Sequence, residues 1–371
     1  MSEPSAERVA EIANRQERMG ELLREHEADG LLVLDPANFS WLTAGGSFRG
    51  IPHSEEFPAL YFSTQQHWLL CANVDTQRIF DEEIDGLAFQ LKEWAWDRGR
   101  QLFLADLCVG KKMLCDQTLG ECVNAGERLR TMRRTLTAWE QERLKELGKT
   151  VAHALEATCR NVSPGESEEE IAGQLGHRLI HRGVEPVDLQ VFADSRARRY
   201  KRGGPTPAKI ERTCVLLATG KRWGLHVTAS RTVSFGPPDE KFYYDFEVSC
   251  RQAAMQIAGS VAFANPANIL SAGIRVLTMN EREHEWRLTP PGWLTGHAPV
   301  ELPFLPNTKD EIEPGWPLVW MASVGGANSA DTILIGESST QIITPTELWP
   351  LKRIRITGQP IERPDILIRT K

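Results

Sequence analysis

A chain of 371 residues with 41% apolar and 25% charged side chains has the make-up of an ordinary globular protein, long enough for about two domains. Its net charge of −7 argues against a dedicated nucleic-acid binder, and no apolar run reaches the length of a membrane span. Seven cysteines, an odd number at wide spacings with no Cys-x-x-Cys, point to reduced, buried thiols in a cytoplasmic protein rather than a disulfide frame or zinc site.

Residues 5–28 carry a helical pattern, with Val9, Ile12, Met19, Leu22 and Leu23 on one side. The preceding and enclosing stretch, Met1 to Glu27, is charged throughout and has no apolar signal core. A short apolar strand follows at Leu31–Leu34, then a Pro36/Asn38 turn into a helical start. Ala59–Phe62 and Trp68–Cys71 read as further strands, and alternating strands and helices up to about residue 130 predict a small α/β domain. Cys108, Cys115 and Cys122 recur at a seven-residue step. Without a His at ligand spacing they read as packed thiols rather than a metal cluster.

Residues 137–159 predict a long amphipathic helix, with Leu144, Leu147, Val151 and Leu155 on one face and a capping box from Thr137 and Glu140. A weak internal echo follows. Asn161–Gly165 leads to a helix with Ile171, Leu175 and Leu179, and Phe263–Pro266 leads to another with Leu270, Ile274 and Leu277. Residues 240–258 read as the helix between. Two strands, Val215–Leu217 and Leu225–Val233, flank a turn from Gly220 to Gly224. Strands at Leu318–Met321, Thr332–Ile335 and Gln341–Thr344 close the chain.

The stretch Cys214–Gly236 resembles a hairpin signature, roughly V-L-I-D-x-G-x-x-x-x-G-Y-x-S-D-x-T-R-T-V-x-x-G, of the pita-bread peptidases: methionine aminopeptidase, prolidase, aminopeptidase P and creatinase. Val215, Leu216, Gly220, Gly224, Arg231, Thr232, Val233 and Gly236 keep its frame. Asp29 to Thr43 resembles the opening of the creatinase and prolidase N-terminal domain. The resemblance implies a two-domain α/β (α+β) protein. Residues 1–135 form a creatinase/prolidase-type N-terminal domain, and residues 136–371 form a pita-bread domain with a curved sheet around one cup. It also implies a homodimer.

In that family two Asp, one His and two Glu hold a pair of divalent ions, because hard, doubly charged cations need several oxygen ligands to offset and bridge them. Carried over, the Asp positions are Ala218 and Thr228, the His is His297, and the Glu positions are Met321 and Ala330, the last followed by an intact Asp331-Thr332. Four of five ligands are missing, so no metal and no other cofactor is expected. Creatinase works without metal, but its three catalytic positions fall near Lys201 and Arg202, on Ser230 and on Met321, and none is retained.

What remains sets two readings. In one, the protein is a non-catalytic or metal-independent binder of a small anionic or peptide-like ligand. In the other, it is a metal-free C–N hydrolase or lyase acting on a small amino-acid-like acid, with His226 or His297 as general base. His226 lies two residues before Thr228 and so shares its side of the strand. The run Arg196, Arg198, Arg199, Lys201, Arg202 reads as an anion-binding mouth or as a solvated basic loop. Ser230 near His226 lacks a third partner for a Ser-His hydrolase. The expected ligand-contacting set is Arg199, Lys201, Arg202, Thr228, Ser230, Trp320 and Met321. Trp223, Trp286, Trp293, Trp316 and Trp320 fill either an aromatic cup or the core. Neither a nucleic-acid nor a membrane partner is expected.

Overall fold

The computed structural model describes residues 5–370. Its contacts divide the chain into a unit ending at Arg134 and a second beginning at Thr135.

The first unit runs α1 (Ala6–Glu25), β1 (Gly30–Val33), α2 (Pro36–Leu42), β2 (Ala59–Phe62), β3 (His67–Ala72), α3 (Thr76–Glu82), β4 (Gln90–Trp94), α4 (Arg100–Cys108), β5 (Met113–Cys115), β6 (Val123–Asn124) and α5 (Gly126–Arg133). Its strands make one mixed sheet in the order β4-β3-β2-β1-β5-β6. β1, β2 and, past His67, β3 are buried on both faces, as expected for strands covered by helices. Ser5 caps α1 through its side chain, and Asp35 caps α2 with Pro36 behind it, which sets both helix starts.

The second unit opens with α6 (Ala138–Asn161) and α7 (Glu168–Ile180). Both start with a complete capping box, Thr137 with Glu140 and Ser167 with Glu170. Then come β7 (Glu185–Ala193), the short α8 (Arg196–Arg199), β8 (Thr213–Arg222), β9 (Leu225–Phe235), α9 (Glu240–Gly259) and α10 (Pro266–Met279). The remainder is β10 (Gly292–Leu294), β11 (Leu302–Pro303), β12 (Pro317–Val324), β13 (Ala327–Ile335), β14 (Thr340–Ile342), β15 (Leu351–Ile356), β16 (Gln359–Pro364) and β17 (Leu367–Arg369). Two sheets, β17-β9-β8-β7 and β11-β10-β12-β13-β14, stand beside a separate β15-β16 hairpin.

Each large sheet buries one face under helices. Leu144, Leu147, Val151 and Leu155 of α6 and Ile171, Leu175 and Leu179 of α7 pack on alternate residues of β8 and β9: Cys214, Leu216, Ala218, Leu225, Val227 and Ala229. Ile257 and Ile269, from α9 and α10, pack on Leu318, Trp320, Ile333 and Ile335. The internal echo read from the sequence thus corresponds to two helix-backed sheets. The opposite faces of both sheets carry the candidate site.

The sheets meet at the edges of β9 and β13 through hydroxyls. The Thr332 hydroxyl accepts from Thr228 N at 2.9 Å and donates to Thr228 O at 2.8 Å, and Ala330 N donates to the Ser230 hydroxyl at 2.8 Å. The β8–β9 turn is tighter than the sequence predicts. β8 continues to Arg222, which pairs with Leu225, leaving only Trp223 and Gly224 in the turn at φ 53° and 76°. Two successive positive φ angles define a type I′ turn, whose twist matches that of the strands. Among the described residues no helix is long and apolar enough to cross a membrane.

Candidate functional site

Strand parity decides what faces the cup. β8 and β9 pair with Thr219 opposite Thr228 and Ala218 opposite Ala229. Successive side chains point to opposite faces. Ala218 therefore lies in the helix-facing core with Val151 and Leu155, and its assignment to the first Asp position is corrected. The turn is one residue shorter than in the signature, so Ala218 and Thr228 fall on opposite faces. The residue standing beside Thr228 in the cup is Thr219, and the two hydroxyls are 2.9 Å apart.

The cup floor is apolar. Leu217 from β8, Met321 from β12 and Ala330 from β13 pack together, at 5%, 8% and 1% exposure, with Trp293 of β10 against them. Met321 and Ala330 are direct cross-strand partners. The two positions where the resemblance places bridging carboxylates thus touch each other as hydrocarbon. Among the described residues, no group of three or more His, Cys, Asp or Glu side chains is arranged to hold a metal ion. The donor set present, hydroxyls and apolar groups, does not fit a dinuclear centre, which needs carboxylates for charge balance.

Both candidate imidazoles are buried and engaged. His226 is 4% exposed, and its Nδ1 lies 3.0 Å from the carbonyl of Gly296, which also accepts its backbone N–H at 2.9 Å. His297 is 3% exposed and donates from Nε2 to Glu140 Oε1 at 2.7 Å. Glu140 simultaneously closes the α6 capping box through Oε2, so His297 is tied to the start of α6. Its Nδ1 is buried without a hydrogen-bond partner among the described residues.

The basic loop is largely paired off. Buried Glu168 accepts from Ala193 N, Arg196 Nη1, Thr206 N and the Thr206 hydroxyl at 2.6–2.9 Å, which pins the loop to α7. Arg198 pairs with Asp239 at 3.3 Å, and Lys201 pairs with Glu285 at 2.8 Å and donates to the Gly325 carbonyl. Arg199 and Arg202 are exposed. The structure brings Thr228, Ser230, His226 and Met321 to one face. It does not bring Trp320 there: that indole is fully buried on the helix side, donating to the Ser260 hydroxyl at 2.8 Å and packing on Phe304. Parity again explains the correction, since Trp320 neighbours Met321.

The sequence reading missed a buried ionic network behind the seam. Arg231 bonds Glu156 at 3.2 Å and Asp331 at 3.3 Å; Asp331 also accepts from the Thr344 hydroxyl and pairs with Arg363, both at 2.6 Å. All four charged side chains are at most 2% exposed. The retained Arg-Thr and Asp-Thr pairs of the signature carried that signal. Burial pushes Cys159 up to about 12 and Cys214 well above the ordinary thiol value, which disfavours the thiolate at these two positions. Cys108 and Cys122 are free thiols 3.9 Å apart, and burial raises Cys108 to about 11.

Two helix-backed sheets around one cup make a pita-bread fold. Residues 142–282 match the model of metallopeptidase family M24, and the chain is related to that family. Among solved structures it is similar to a prolidase from Pyrococcus horikoshii OT3, at 15% identity over 90% of this chain and 99% of that one, TM-score 0.78. It is also similar to the Xaa-Pro dipeptidase from Bacillus anthracis, at 16% identity over 96% and 100%, TM-score 0.76. The N-terminal domain of FACT complex subunit SPT16 from chickpea shares the fold at 10% identity over 91% and 96%, TM-score 0.70. No curated protein sequence matches the chain.

Proposed function

We propose that this protein is a pita-bread peptidase relative that has lost the dinuclear metal site and serves as a non-catalytic binder of a small anionic or peptide-like ligand. The observation that carries the reading is the cup floor, where Leu217, Met321 and Ala330 pack together and Thr219 faces Thr228. Hydrolysis by paired cations requires a charged, oxygen-rich floor at this place, and an apolar one cannot hold the ions. The burial of His226 and His297 and their hydrogen bonds to Gly296 and Glu140 favour binding over metal-free C–N cleavage, since a general base must reach the substrate proton. Exposed Arg199 and Arg202 support an anionic ligand group, for which a guanidinium fork is suited. A homodimer in the cytoplasm completes the proposal.

The test pairs turnover with binding. Purified protein is incubated with Xaa-Pro dipeptides and manganese or cobalt, and metal content is measured. No turnover and less than 0.1 metal ion per chain are expected. Small acids and dipeptides are screened by thermal shift, where a ligand binding only the folded form raises Tm. Arg199→Ala with Arg202→Ala is expected to abolish the shift given by anionic ligands. Stoichiometric metal with Xaa-Pro cleavage refutes the reading.

A further inference from the structure

The hairpin β15–β16 lies beyond the residues matching the family model and belongs to neither large sheet. Its turn, Thr357-Gly358, has φ 46° and 87°, and Ile356 pairs with Gln359. A two-residue type I′ loop makes that flanking pair the hydrogen-bonded kind, and the kinds alternate along the ladder. Arg355↔Pro360, Arg353↔Glu362 and Leu351↔Pro364 are therefore non-hydrogen-bonded pairs, whose backbone groups point away from the hairpin. On β16 two of the three outward positions are proline and lack an N–H. On β15 all three, Leu351, Arg353 and Arg355, keep theirs. Proline on an edge blocks further strand pairing, so one edge is guarded and the other open.

The open edge borders a groove of about 570 Å³ lined by residues 352–356, by Glu247, Arg251 and Met255 of α9 and by Val276 and Met279 of α10 with its C-cap Asn280. The carboxylate in this lining, Glu247, is paired with Lys352 at 2.7 Å, so Arg251, Arg353 and Arg355 leave the lining net basic. Met279 is 85% exposed. β15 alternates. Ile354 packs inward against the core cluster that contains Phe246, whereas Arg353 and Arg355 stand exposed. Arg353 meets Glu362 across the hairpin at 2.9 Å. A second copy pairing on this edge would set arginine against arginine, and like charges directly opposite are destabilising. The charge of the edge thus selects against self-association and for acid.

We propose that β15 is a docking edge for an extended partner segment of about five or six residues that alternates acidic and apolar side chains. The segment adds a strand through the outward backbone groups of Leu351, Arg353 and Arg355. Its apolar side chains enter the groove over Met255, Val276 and Met279, and its carboxylates face Arg353 and Arg355. Main-chain bonds supply affinity and the alternate side chains supply selectivity. The cup takes no part, so the inference stands apart from the proposed function.

The test is fluorescence anisotropy of the full chain with a fluorescein-labelled Val-Glu-Val-Asp-Val-Glu peptide and a control in which lysine replaces each acid. Micromolar binding of the acidic probe only is expected. Arg355→Pro removes an outward N–H without touching a hairpin hydrogen bond and is expected to weaken binding at least tenfold, with Tm and far-ultraviolet circular dichroism unchanged. If that variant fails to fold, Arg353→Glu with Arg355→Glu carries the test: it must lose the acidic probe and gain the lysine one. Amide exchange at Leu351, Arg353 and Arg355 must slow with the probe bound. The proposal is overturned by absent binding, by full affinity in Arg355→Pro or, if that variant is unfolded, in the charge-reversed variant, or by self-association through this edge.

Discussion

Replacing Asp331 by alanine tests what the retained Asp331-Thr332 pair does in the fold. Asp331 is 1% exposed and answers two buried cations, Arg231 at 3.3 Å and Arg363 at 2.6 Å, besides accepting from Thr344. Its removal leaves Arg363, 0% exposed, without a carboxylate, and leaves Arg231 to share Glu156 with Arg160. Breaking a buried ion pair by deleting one partner costs about 3–5 kcal/mol, because an uncompensated charge stays behind. For a unit of this size each kcal/mol lowers Tm by about 2–4 °C, so a fall of roughly 6–20 °C is expected. Calorimetry and urea unfolding measure it. Removing Arg363 as well, as Asp331→Ala with Arg363→Met, is expected to recover at least about 1 kcal/mol relative to the sum of the single changes, the signature of coupled sites. A loss below about 1 kcal/mol in Asp331→Ala refutes the reasoning, and the Asp-Thr pair would then need another explanation.

Two further outcomes are expected. Met321→Glu places a carboxylate against Leu217 and Ala330 with no counter-charge, which costs about 2–5 kcal/mol in thermal unfolding; undiminished stability together with manganese uptake would show that the floor still serves as a metal site. The buried thiols give a pH signature: burial raises Cys159 and Cys115 to about 12 and Cys71 and Cys250 to about 11. A raised folded-state value means the thiol's contribution is whole below the unfolded value near 9 and is lost as pH climbs through the folded one. Stability should therefore fall between pH 9 and 12, and Cys159→Ala should flatten the fall by up to about 1.4 kcal/mol per pH unit; an unchanged slope refutes it.

The sequence by itself carried the fold. The apolar stripe of α6, its capping box and the paired hairpin strands are local patterns, and each formed in its place in the chain, although β8 runs on to Arg222 and closes the turn at two residues. The retained Arg231-Thr232 and Asp331-Thr332 were visible too, although only the structure shows their link through Arg231 and Asp331, a hundred residues apart in the chain. The exclusion of Ala218 was partly legible: a hairpin turn shortened by one residue inverts which neighbour faces the cup, and that spacing can be counted. Trp320 and Met321 sit side by side in the sequence, both large and apolar, and nothing local says which points to the helices and which to the cup. That choice is made by cross-strand register and by what the opposite face meets, Ser260 and Phe304 for one and Leu217 for the other. The same holds for the basic run from Arg196 to Arg202, which reads as a free cationic loop until Glu168, Asp239 and Glu285 fold against it. Periodicity is a property of neighbours along the chain, whereas facing and charge pairing depend on residues brought together from far apart, and only the tertiary structure decides them.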